Sequence, residues 1–137
     1  MTELAERVEA SSGPDRELDA EITATVRHFP NDVGFVWQDD LEPNVPEPGR
    51  VTCVTSLGTS GPHYAAPRYT ASLDAAMKLV PKDWHIAING VNDGWHVALN
   101  ETRDGATGVS FGFASSPPRA MTAACLRALD AIASTRG

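Results

Sequence analysis

The stretch WHIAINGVNDGWHVALN, residues 84–100, holds two short runs in which large apolar side chains alternate with polar or small ones. Trp84, Ile86 and Ile88 fall on one face of the first run, with His85 and Ala87 on the other. Trp95, Val97 and Leu99 repeat the pattern against His96 and Ala98. A period of two is what a half-buried strand requires, because successive side chains point to opposite faces. Between the runs, NGVNDG supplies residues that accept the left-handed backbone of a tight turn. The stretch therefore predicts an antiparallel hairpin with one buried face, made of Trp84, Ile86, Ile88, Trp95, Val97 and Leu99. With Asn89 facing Gly94, His96 lies diagonally beside His85.

Working outward, TGVSFGFA (107–114) reads as a third strand, in which Val109, Phe111 and Phe113 alternate with small residues. Ser116 then offers an N-cap, and a first helical turn accepts Pro117 and Pro118. Met121, Cys125, Leu129 and Ile132 form a stripe along the helix that follows. On the other side of the hairpin, PRYTASLDAAMKLVPKDW (67–84) predicts a helix capped by Thr70 or Ser72 and stopped by Pro81. Its stripe is Leu73, Ala76, Met77 and Val80. Met77, Met121 and Leu129 are expected to cover the hairpin. Further upstream, VGFVW (33–37) and VTCVTSL (51–57) read as strands joined by a long loop, QDDLEPNVPEPG. TELAERVEA and PDRELDAEITATVRHF read as two amphipathic helices, the second with Leu18, Ile22, Val26 and Phe29 at near-helical spacing.

The predicted order is α-α-β-β-α-β-β-β-α. It implies an α+β protein, an antiparallel sheet of about five strands packed with helices. At 137 residues the chain fits one domain. Within 1–137, an N-terminal helical segment (1–29) precedes a variable strand and loop segment (30–63) and an α-β-β-β-α core (64–137).

Charge narrows the function classes. Eleven basic residues against 18 acidic ones give a net charge of −7. Such a surface repels nucleic-acid phosphates and anionic lipid, whose binding depends on Lys and Arg. The α-β-β-β-α order matches that of double-stranded-RNA-binding domains, but those need a basic cluster where the last helix starts. Here that start is SSPPRAM, with Arg119 alone. No apolar run is long enough to span a bilayer, and MTELAERVEA lacks a signal-peptide core. A soluble protein of the bacterial cytoplasm is expected, with neither nucleic acid nor membrane as a partner.

LAERVEASSGPDRELDAEI, YTASLDAAMKLVPKDWHIAI and AACLRALDAI resemble the phage ABA sandwich family of small bacteriophage and prophage proteins. The resemblance covers residues 3–27, 64–89 and 111–133 and leaves out 30–63. It implies an alpha/beta sandwich and a phage genome. It transfers no catalytic residue.

Chemistry gives little purchase. His85 and His96 share a face of the hairpin, yet no third zinc ligand is placed beside them. Cys53 or Ser56 would need a positioned base, and no nucleophile signature surrounds them. GTSG (58–61) follows a strand as phosphate loops do, but lacks the Lys-Ser/Thr ending. No catalytic residue, metal or cofactor is expected. PHYAAPRYT gathers His63, Tyr64, Arg68 and Tyr69, aromatic faces beside a guanidinium, which suits a small anionic ligand or the acidic edge of a host protein. Equally, both tyrosines can fold back as core lids while Arg68 pairs with a nearby acid. A non-enzymatic phage accessory protein, binding a host protein or sequestering a nucleotide signal in counter-defence, is the leading expectation. An oligomeric assembly protein and a small hydrolase are the alternatives. The helix at 3–10 is too short to stand alone. Its Leu4 and Val8 must bury in their own domain or in a homodimer, and the dimer is the expected association.

Overall fold

A computed structural model describes residues 2–26, 42–54, 64–81, 83–101 and 108–136. The chain is mixed α+β, but its strands form two three-stranded antiparallel sheets where one sheet of about five was expected. It divides into two compact units, residues 15–68 and residues 1–14 with 69–137. The expected helical segment 1–29 is thus split, its first helix in one unit and its second in the other.

In the unit 15–68, α2 (Arg16–Val26) lies against β1 (Glu42–Glu47) and β2 (Arg50–Val54), and β3 (Tyr64–Ala65) completes the sheet in the order β1-β2-β3. Asp15 caps α2, accepting the Leu18 N–H at 3.1 Å. The loop expected at 38–49 instead carries β1, despite Pro43 and Pro46. Prolines are tolerated on an edge strand or at a bulge, and among the described residues β1 is both the edge of its sheet and irregular in register between Asn44 and Glu47. Gly49 turns the chain into β2 at φ +80°, a conformation open to glycine at no steric cost. Arg16 then joins helix to sheet. Its guanidinium pairs with the buried Asp19 at 2.8 Å and donates to the carbonyls of Gly49 and Ala66 at 3.2 and 2.9 Å. The strand expected at 33–37 and the helix end at 27–29 lie outside the described residues.

The larger unit is built around α4 (Pro117–Arg136). Beneath it run β4 (Trp84–Val91), β5 (Gly94–Glu101) and β6 (Val109–Ala114), in the order β4-β5-β6. α1 (Thr2–Ala10) and α3 (Leu73–Met77) lie against its other sides. Surrounded in this way, α4 is buried well beyond one stripe: Ala120, Met121, Thr122, Ala123, Ala124, Cys125, Leu126 and Ala128 are all core residues. Leu129 and Ile132 are only half-buried. Leu4, Ala5 and Val8 of α1 are buried in this same unit, so the helix satisfies its apolar face without a second subunit.

Two corrections concern coverage. α3 ends at Met77 after five residues, and the turn that follows buries Leu79 instead, leaving Met77 exposed. Ser72, not Thr70, supplies the cap, accepting the Ala75 N–H at 3.3 Å. In the hairpin, Trp84, Val97 and Leu99 are buried as expected, whereas Ile86 and Trp95 are exposed and Ile88 is half-buried. The reason is that α4 packs chiefly on β5 and β6, so β4 and the turn end of β5 lie beyond its cover.

Candidate functional site

The geometry that matters is set by one close approach. Gly112 of β6 lies so near α4 that a Cβ there would stand 2.1 Å from the Ala120 carbonyl oxygen and 2.7 Å from the Ala124 nitrogen. Only small side chains fit between strand and helix, and Ser110, Gly112 and Ala114 occupy that face, all buried. Alternation then sends the large residues the other way. Val109, Phe111 and Phe113 stand on the opposite face of the sheet at 48%, 51% and 44% exposure.

Register completes this open face. Val109, Phe111 and Phe113 pair with Asn100, Ala98 and His96 of β5, which in turn pair with His85, Ala87 and Asn89 of β4. Val91 opposite Gly94 closes the row. His96 stacks on Phe111, ring centroids 5.4 Å apart at 29°. None of these eleven positions is Asp, Glu, Lys or Arg. In a chain where a fifth of residues are charged, an uncharged face with exposed aromatic rings is the most distinctive surface described. The hairpin turns at Asn92–Asp93, one residue beyond the expected turn, which shifts the pairing by two residues, so His96 lies opposite Asn89 and is not diagonal to His85. Among the described residues no group of three or more His, Cys, Asp or Glu could hold a metal ion.

The β6 edge of this sheet is closed by side chains. Glu9 of α1 and Arg127 of α4 form a bidentate ion pair at 2.6 and 2.7 Å. Glu9 Oε2 also accepts the Phe113 N–H at 2.8 Å, and Arg127 Nη1 donates to the Phe111 carbonyl at 2.9 Å. The pair therefore satisfies strand groups that an added strand would otherwise take. Partial burial pushes the Glu9 carboxyl up, but the Arg127 hydrogen bond, the Phe113 N–H and the Arg127 charge together hold it below its ordinary value. A depressed folded pKa stabilises the protein above the unfolded value, about 4.3 for Glu, and that contribution is lost as pH falls below it. Glu9→Gln should cost about 1–2 kcal/mol near neutral pH, as expected for a charge-assisted contact. Melting temperatures of wild type and variant should converge as the pH is lowered through 4. A constant gap across that range would show that the pair does not hold the edge.

The residues singled out from sequence are placed differently. His63 lies outside the described residues. Tyr64 is on β3, paired with Val51. Arg68 is exposed at the end of the smaller unit. Tyr69 is buried in the larger unit, where its carbonyl accepts the Thr122 hydroxyl at 3.0 Å, so its ring is core and is not offered for stacking. Arg119 is also buried. Its guanidinium donates to the Ser11 carbonyl and to Ser115 and Ser116, tying the end of α1 to the start of α4, and is unavailable to a phosphate. Burial pushes the Cys125 thiol up to about 12, which keeps it protonated and inert. The open face was missed because no motif marks it. The available signal was the small-large alternation of VSFGFA beside a helix rich in alanine.

No family model, curated protein or solved structure matches the chain. No helix among the described residues is long and apolar enough to cross a membrane.

Proposed function

We propose that this chain is a non-enzymatic binding protein whose working surface is the open face of the β4–β6 sheet. The observation that carries this is the exposed row Val109, Phe111 and Phe113 on a face without charge. The occupant is a partner protein presenting an apolar patch with a basic rim. A small anionic ligand would need a cation, and this face has none. Strands of eight, eight and six residues, about 4.8 Å apart, give a face of roughly 360 Å², under half of the 800 Å² that a stable partner buries. Contact must therefore extend to the flanks, where a chain of net charge −7 favours a basic rim. The described reactive groups support binding over catalysis, since Cys125, Arg119 and the Glu9–Arg127 pair are all engaged in structure. A phage or prophage setting, with the partner drawn from the host, rests on the family resemblance of the helical segments.

Affinity capture from a host lysate, quantified by mass spectrometry, compares the wild type with Phe111→Ser/Phe113→Ser. One protein should be retained by the wild type and lost with the double variant, and its capture should weaken as salt is raised. Equal recovery with both chains would overturn the reading. Retention that depends on Arg68 and not on the phenylalanines would return the site to the loop before α3.

A further inference from the structure

The two edges of the β4-β5-β6 sheet are treated differently. At β6, Glu9 and Arg127 occupy the Phe113 N–H and the Phe111 carbonyl. β4 runs eight residues in unbroken register with β5, without a bulge, a proline, or a Lys, Arg, Asp or Glu between Trp84 and Val91. These are among the devices by which proteins blunt an edge, and β4 carries none of the three; among the described residues it pairs with β5 alone.

Which groups face outward follows from the capped edge. Phe111 and Phe113 direct their backbone groups away from β5, so their neighbours His96 and Ala98 direct theirs toward β4, as antiparallel pairs alternate. His96 and Ala98 pair with Asn89 and Ala87, which leaves the N–H and C=O groups of Ile86 and Ile88, and of Trp84 and Gly90, facing the open edge.

We infer that β4 is the dimerisation edge of this protein, pairing antiparallel with β4 of a second copy about a two-fold axis at Ala87. Only pairings that match residues of like parity keep both helix layers on one side of the joined sheet. With Ala87 on the axis, Ile86 meets Ile88 of the second copy, His85 meets Asn89, and Trp84 meets Gly90. The outward groups then form about eight hydrogen bonds in narrow pairs. Large residues meet large or none, and no like charges are opposed. The strand matches itself about this axis and brings no charge to it, which fits a second copy even though each chain carries a net charge of −7. The interface uses the edge, so it leaves the row Val109, Phe111 and Phe113 free.

Sedimentation velocity across the micromolar range should show a dimer. Ala87 is exposed, so Ala87→Glu tests the edge without disturbing the core. It sets two carboxylates face to face at the axis and should give a monomer with an unchanged circular dichroism spectrum, its melting temperature lowered only by the stabilisation that dimerisation supplies. Ala87→Cys brings Cα atoms to about 4.5 Å in a wide pair, within disulfide reach. Oxidation should yield a covalent dimer, while Asn89→Cys and the wild type yield none. Phe111→Ser/Phe113→Ser should remain dimeric. A wild-type monomer at every concentration, a dimer that Ala87→Glu leaves intact, or absence of the Ala87→Cys cross-link would each overturn the inference. Loss of the dimer in the phenylalanine variant alone would place the second copy on the open face instead.

Discussion

Replacing Gly112 by alanine should destabilise the protein more than any other single methyl addition. The new Cβ would sit 2.1 Å from the Ala120 carbonyl oxygen and 2.7 Å from the Ala124 nitrogen, both backbone atoms of a helix held by α1 and α3 as well as by the sheet. A flexible side chain could swing away, but a helix backbone cannot. α4 must lift from β6, loosening Met121, Cys125 and Leu126 in the same movement. Overpacking of this kind costs typically 1–3 kcal/mol, and a backbone clash belongs at or above the top of that range, about 3 kcal/mol. Chemical denaturation should show the midpoint lowered with little change in slope. If Gly112→Ala melts like the wild type, α4 does not pack where it is described.

Leu99→Ala should have a comparable effect by the opposite route. Leu99 is fully buried on the helix-facing side of β5, between Ile86 of β4 and Ser110 of β6. Its removal leaves a cavity under α4, and Leu→Ala changes at such sites cost about 2–5 kcal/mol. Ile88→Ala, on the strand α4 does not cover, should cost distinctly less because Ile88 is half-buried. The ranking matters more than either value. Equal costs at Leu99 and Ile88 would mean that the helix layer extends over β4.

These two variants also mark where the sequence was informative. Period-two runs separated by Asn, Asp and Gly identified the β4–β5 hairpin, because alternation and turn chemistry are local properties. Ser72 and Ser116 announced the starts of α3 and α4 for the same reason. Register escaped, since NGVNDG offers several turn positions and only the packed hairpin selects Asn92–Asp93. Coverage escaped too. Nothing in WHIAINGV says that α4 lies over β5 and β6 and leaves Ile86 bare. β1 was hidden by Pro43 and Pro46, which argue against a strand unless it is known to be an edge. The binding loop was inferred from residue types alone, and burial of Tyr69 removes one of its two aromatic faces. The open sheet face, conversely, depends on a helix approaching Gly112 from far along the chain, a contact no local pattern encodes.

The proposed binding surface requires Phe111 and Phe113 to be surface residues. The thermal unfolding of Phe111→Ser/Phe113→Ser tests that most directly. Two phenylalanines in a core would each cost about 3–5 kcal/mol on truncation, and a loss of that size would lower the melting temperature by well over 10 °C in a domain of this length. With both rings on the open face, the double variant should melt within a few degrees of the wild type. A fall of 10 °C or more would show that the face is covered, and the binding surface proposed for this protein would be lost with it.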